Sequence, residues 1–189
     1  MKCGRMTKER GEMDGKIFLI TGKPGSGKTF LWEKIWGENR EKIAGYRTVP
    51  YEEEGSFAGY VMENLSDGEK RPISRKRNGR FEGITETFQG FGAELLKKAA
   101  AADQDIIILD ELGRFEKDCE VFIDAVWQVV HSKKMVCLIL KKEPIPFIEE
   151  LKEKSGGFLI DMDELGREKA HAVLVSALRQ RNTISEEAF

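Results

Sequence analysis

Gly22-Lys23-Pro24-Gly25-Ser26-Gly27-Lys28-Thr29 is the stretch that decides the fold of this 189-residue chain. Immediately before it, Lys16–Thr21 holds the apolar run Ile17-Phe18-Leu19-Ile20, which reads as a strand buried on both faces. After it, Lys28 to about Asn39 reads as a helix with Leu31 and Ile35 facing inward. Gly22, Gly25 and Gly27 let the backbone turn sharply and come close to a ligand. The successive N–H groups of such a turn form a nest for an anion, and the positive end of the following helix adds to the attraction. The eight residues fit the phosphate-loop pattern in full, and the strand before and helix after supply the context that pattern needs. Lys28 is then expected on the β- and γ-phosphates of a nucleoside triphosphate, and the Thr29 hydroxyl on Mg²⁺.

A second apolar strand, Asp105–Asp110, delivers Asp110 and Glu111 at its C-terminal end. Ligands of open α/β sheets bind beyond that end of the strands. Asp110 is therefore the expected Mg²⁺ partner, and Glu111 the expected general base on an attacking water. Taken alone, two acids after a strand read as a solvated turn. Beside a phosphate loop they read as parts of one site.

Further apolar strands are expected at Met135–Leu140 and Phe158–Ile160, and helices at Thr85–Ala102, Phe115–Val130, Pro144 or Pro146 to Lys154, and Glu168–Arg179. Ile43–Val49 and Ser56–Met62 read as strands of an antiparallel excursion after the first helix, and Lys70–Arg80 as a loop or hairpin. Strands that alternate with helices predict an α/β fold of P-loop type, with a mostly parallel sheet covered on both faces. Residues 1–15 read as a polar extension, 16–180 as the folded domain and 181–189 as a polar tail.

Net charge is −2, with 40% hydrophobic and 34% charged residues, so no bulk charge argues for nucleic acid, and no apolar run is long enough to span a bilayer. Three cysteines, Cys3, Cys119 and Cys137, are too few and too scattered for a disulfide framework or a zinc site, which suits a reducing cytoplasm. His131 and His171 lack metal-ligand spacing. Trp32, Trp36 and Trp127 fall on predicted helices and read as packing residues. The basic cluster Lys70, Arg71, Arg75, Lys76, Arg77 and Arg80 reads as a solvated loop, with a phosphate-covering lid or a nucleic-acid contact as the alternatives.

The motifs together resemble a known family. Gly22–Thr29, then Asp110-Glu111-Leu112-Gly113-Arg114-Phe115-Glu116 and Phe122, are similar to the signature of the THEP1-type nucleoside triphosphatases. The resemblance runs from about Ile17 to Leu178 and takes in Gly45-Tyr46, Arg71-Pro72-Ile73-Ser74 and Gly79-Arg80-Phe81. It implies a RecA-like fold and Mg²⁺-dependent hydrolysis of ATP, GTP and other triphosphates, with Gly113 beside the nucleotide. Arg114 stands where the family has Lys, and Gly166-Arg167 where it has Asn-Arg. Arg114 has two readings: a charge-stabilising contact to the leaving phosphate, or an ion pair with Glu116 or Asp118. The competing functions are a kinase of a nucleotide, an RNA end or a small molecule, and a slow nucleotide switch acting through a protein partner. No arginine finger is assignable from the residues.

Overall fold

The computed structural model describes residues 17–36 and 40–186, with side chains for 17–34 and 41–177. The extension 1–15, Cys3 and the side chains of Ile35 and Trp36 lie outside this description. Strands are β1 (Ile17–Gly22), β2 (Ile43–Glu53), β3 (Ser56–Asn64), β4 (Lys70–Pro72), β5 (Ser74–Arg77), β6 (Arg80–Gly83), β7 (Ile106–Leu112), β8 (Met135–Lys141) and β9 (Phe158–Asp161). Helices are α1 (Lys28–Trp36), α2 (Thr85–Thr87), α3 (Ala93–Ala101), α4 (Glu120–Val130), α5 (Pro146–Lys154) and α6 (Met162–Glu186).

Seven strands make one sheet in the order β4-β3-β2-β7-β8-β1-β9. Strands β1, β7, β8, β9 and the first half of β2 run parallel, so their C-terminal ends share one edge. Strand β8 separates the strand that feeds the phosphate loop from the strand that carries the acids, in keeping with the RecA-like expectation. Each strand divides its apolar side chains between two cores. Leu19, Ile107, Leu109, Val136 and Leu138 meet Leu96, Phe122, Val126 and Ile148 from α3, α4 and α5. Phe18, Ile20, Ile108, Cys137 and Ile139 meet Leu31, Ala170 and Leu174 from α1 and α6. That double burial is what made the strands apolar along their whole length.

The structure corrects four expectations. Strand β2 is not confined to an antiparallel excursion. Ile43–Arg47 pairs parallel with β7, and only then does β2 continue antiparallel against β3. The segment Lys70–Arg80 is neither a plain loop nor one hairpin: β4 extends the main sheet, and β5 and β6 form a separate pair turning at Asn78-Gly79. The helix expected from Phe115 begins at Glu120, because Glu116 folds back into the interior and its carbonyl takes the Cys119 N–H. The last helical segment starts at Met162, breaks at Gly166 (φ 72°), and runs on to Glu186 through residues read as tail. Within Thr85–Ala102, residues Phe88–Gly92 form a π-helical turn.

Candidate active site

The site lies at the C-terminal edge of the parallel strands. Strand β1 ends at Gly22 and α1 begins at Lys28, so the loop between them has little freedom. Gly27 takes φ 98°, and a Cβ placed on it would stand 2.7 Å from Arg167 Nε. The positive φ favours glycine, and the flexible Arg167 side chain would have to shift to admit a Cβ. Lys28 is buried, and its ammonium donates to the carbonyls of Gly22 (2.8 Å) and Lys23 (3.2 Å). Ser26 Oγ is buried with no hydrogen-bond partner among the described residues, an orphaned donor inside the loop. Lys23, Pro24 and Gly25 form the exposed crest of the loop.

Strand β7 brings the two acids alongside. Asp110 is 3% exposed and accepts a hydrogen bond from Trp32 Nε1 at 2.8 Å. Burial pushes its carboxyl up to about 6, against the hydrogen bonds from Trp32 and Thr29 that favour the charged form. Thr29 and Trp32 lie one turn apart on α1, which puts both on the face that meets Asp110. Beyond Asp110 the pairing of β7 with β8 shifts register, and the Asp110–Glu111 peptide is cis. Glu111 is anchored through its N–H to Thr48 Oγ1 on β2 (3.1 Å). Burial raises its carboxyl above the ordinary range, and the ammoniums of Lys28 and Lys141 pull it back down. The base expected from sequence therefore feels two cations, Lys28 and Lys141, and a further carboxylate, Glu143.

The next residues close the far side. Glu116 is 2% exposed and accepts the Gly113 N–H, which bends Gly113-Arg114-Phe115 into a tight turn. Burial pushes Glu116 up to about 7. Glu111, Gly113, Arg114, Glu116, Lys141 and Thr48 surround a cavity of about 70 Å³. Arg114 makes neither of the expected ion pairs: it is exposed, with its guanidinium 5.4 Å from the centre of the Phe115 ring, and Asp118 faces Lys117 at 3.7 Å.

The loop is also held from the opposite end of the chain. Arg167 donates to the carbonyls of Gly25 (3.0 Å) and Ser26 (3.2 Å). Asp163 accepts the Lys23 N–H, with both carboxylate oxygens at 3.2 Å. Lys142 binds Asp161 (2.8 Å) and Asp163 (2.9 Å), tying the ends of β8 and β9 together.

Sequence reasoning placed Lys28, Thr29, Asp110 and Glu111 together, and the fold does bring them together. It missed Trp32, Thr48, Glu116, Lys141 and Arg167 as parts of the site. Trp32 carried a usable signal, being three residues after Thr29 on a predicted helix. Thr48 and Lys141 carried none without the strand order. Of the basic cluster, Lys70 pairs with Glu63 (3.5 Å) and Arg71 with Glu69 (2.6 Å), while Arg75, Lys76, Arg77 and Arg80 are exposed on the β5–β6 pair. His131 sits at the end of α4, stacked on Trp127 at 5.6 Å, as a capping residue.

Comparison with known proteins bears on the family and the fold. The chain is 30% identical over 156 residues to the nucleoside-triphosphatase THEP1 of Thermotoga petrophila, covering 79% of this chain and 86% of that one. It is 30% identical over 162 residues to the protein of the same name from Methanocaldococcus jannaschii, covering 82% and 91%. Its fold matches the crystal structure of THEP1 from Aquifex aeolicus with a TM-score of 0.67 at 24% identity, over 85% of this chain and 98% of that one. The solution structure of a human cancer-related nucleoside triphosphatase matches with the same TM-score of 0.67 at 19% identity, over 89% and 98%. The family model described as NTPase matches residues 17–175, so the chain belongs to that family of P-loop NTPases.

Proposed function

We propose that this protein hydrolyses nucleoside triphosphates to the diphosphate and phosphate with Mg²⁺, at the site between the ends of β1 and β7. The observation that carries the reading is the convergence of three parts. Lys28 is buried in its loop, Asp110 accepts the Trp32 indole N–H beside Thr29, and Glu111 is held by Thr48 and feels the charges of Lys28 and Lys141. The orphaned Ser26 hydroxyl and the turns at Gly22, Gly25 and Gly27 suit a phosphate chain as their partner.

The Thr29 hydroxyl and the Asp110 carboxylate are hard oxygen donors set side by side, which fits Mg²⁺. When bound, the ion would neutralise charge on the phosphate oxygens. The residues of the chain do the rest. The loop from Gly22 to Thr29, with Lys28, orients the triphosphate. Glu111 takes a proton from water as the water oxygen bonds to phosphorus and the bond to the diphosphate breaks. Gly113 shapes the turn beyond Glu111, and Arg114, on the wall of the cavity, meets charge that reaches its mouth. Cys119 and Cys137 are buried free thiols, in keeping with a reducing cytoplasm. Among the described residues no helix is long and apolar enough to cross a membrane.

A phosphoryl acceptor other than water is the second reading, and one observation favours it. Arg114 and Phe115 also line a cleft of about 580 Å³ with Phe81, Glu82, Lys117 and Pro146, far more room than a water needs. Both readings are tested by phosphate release from ATP, GTP, CTP and UTP with Mg²⁺, alone and with hydroxyl acceptors, on wild type and Glu111→Gln. The variant keeps size and hydrogen bonding but loses basicity. Its kcat should fall by about 10²–10⁴-fold, while the Kd for a non-hydrolysable triphosphate stays close to wild type. Wild-type turnover in Glu111→Gln would remove Glu111 from the mechanism. Label passing to an added acceptor rather than to water would move the assignment to a kinase.

A further inference from the structure

Lys141 closes β8 with its Cα in register with Gly22 on β1, while the preceding Leu140 pairs with Leu112 on β7. Strand β8 lies between β1 and β7, so any ligand that joins Lys28 on one side to Glu111 on the other passes over the end where Lys141 stands. Alternation along the strand separates it from its neighbour. Lys142 is committed to Asp161 and Asp163, whereas Lys141 turns the other way and walls the cavity that Glu111 also lines. Lys141 forms no ion pair within 4.0 Å among the described residues, and its ammonium lies 5.9 Å from the centre of the Phe115 ring.

The backbone makes room for this side chain. A Cβ on Gly113 would stand 3.0 Å from Lys141 Cδ and 3.4 Å from its Cβ. A side chain there would displace the stem. The glycine of the Asp110–Glu116 run is thus where the loop lets Lys141 through to the cavity. The outer cation, Arg114, is exposed and rests on the ring of its own neighbour.

We propose that Lys141 is the cation, supplied from within the chain, that stabilises the charge developing on the transferring phosphoryl group opposite Lys28. This rests on the reading of the loop as a triphosphate site. In the step itself the water oxygen bonds to the terminal phosphorus, and the phosphorus–oxygen bond to the diphosphate breaks with its electron pair going to the leaving oxygen. The water proton goes to Glu111. Lys141 exchanges no proton; its fixed charge faces the oxygens that become more negative, and a donor aimed at such charge is typically worth about 10²–10³ in rate.

The test uses Lys141→Met, Lys141→Arg and Gly113→Ala in the full chain. Steady-state phosphate release is measured alongside binding of Mg·ADP with and without aluminium fluoride, which mimics the phosphoryl group in flight. For Lys141→Met, kcat should fall by about 10²–10³-fold with KM within a few-fold of wild type. Mg·ADP should bind as before, and aluminium fluoride should no longer tighten it. Lys141→Arg should recover most of the loss, and Gly113→Ala should lower kcat in the same sense. Wild-type kcat in Lys141→Met overturns the proposal. So does a loss of Mg·ADP affinity and melting temperature in step with kcat, which marks a structural role. A wild-type protein that neither binds Mg·ADP nor releases phosphate takes down the parent reading, and this one with it.

Discussion

Glu116 shows what a single residue can do to this edge of the sheet. Its carboxylate is buried to satisfy the Gly113 N–H, and the burial pushes its pKa from the ordinary carboxylate range to about 7. Between those two values the folded state holds a proton that the unfolded state has released. Stability therefore falls as pH rises through that window and levels off above it, at an upper bound on the order of 3 kcal/mol. Glu116→Gln keeps an acceptor for Gly113 and removes the titration. Its urea midpoint should decline less than that of wild type from pH 5 to pH 8, the remaining decline coming from the raised carboxyls of Asp110 and Glu111, with the variant the more stable at pH 8. Parallel declines would show that Glu116 does not titrate in this window. At this scale the sequence was legible wherever the chemistry is local. Lys28 and Thr29 adjoin in one motif and Asp110 and Glu111 in another. Glu116 was visible as part of the same run, but its burial was not. A glutamate four residues beyond the end of β7 reads as solvated until the fold encloses it.

Elements were legible in kind more than in extent, and β2 shows why. From Ile43 to Arg47 it is an inner strand against β7; beyond Arg47 it leaves β7 and continues only with β3. Pro50 falls in the second part, where its missing N–H leaves no ladder bond to β7 unmade. Ile43 and Tyr46 in the first part and Val49 and Tyr51 in the second gave strand in either case, so the change of partner left no local mark. Gly45 marks it in space. It takes φ 106°, and a Cβ there would meet the Ile108 carbonyl oxygen on β7 at 2.0 Å. Backbone cannot yield as a flexible side chain can, so Gly45→Ala must part β2 from β7 or distort both. The cost should be about 2–4 kcal/mol, lowering the melting temperature by roughly 5–15 °C. An unchanged melting temperature would mean that the two strands are not so closely opposed. The helix expected at Phe115 fails for a related reason. Phe115, Cys119, Phe122 and Val126 do share a helical spacing, but the buried Glu116 and its turn hold the first of them off the helix, whose N-terminus falls at Glu120.

Across the whole molecule, the phosphate loop is shaped from both ends of the chain. Its own glycines permit the curve, and the segment after β9 fixes it: Asp163 takes the Lys23 N–H, and Arg167 holds the Gly25 and Ser26 carbonyls across about 140 residues of sequence. No local pattern announces such a clamp, so the stretch around Arg167 discloses no role for it. The clamp has a thermodynamic consequence. A loop already held in its curve loses less conformational freedom when phosphate binds, and that freedom is part of what association costs. Arg167→Ala leaves Lys28, Thr29, Asp110 and Glu111 in place and releases only the two carbonyls. It should therefore raise KM and the Kd for Mg·ADP by several-fold while kcat changes little, since the lost interaction is the same in ground and transition states. Melting curves read the same effect independently. A ligand at 100 times its Kd adds about 2.7 kcal/mol to a folded state that alone binds it. For a domain of this size that is a rise of roughly 5–11 °C for wild type with Mg·ADP. At that same ligand concentration the variant's rise should be smaller by about 3–5 °C for a tenfold loss of affinity, with little change in its ligand-free melting temperature, because Arg167 is exposed and its bonds lie at the surface. Equal rises in the two proteins would mean that the loop keeps its curve without the clamp, and that the β9–α6 junction acts on the fold and not on the nucleotide.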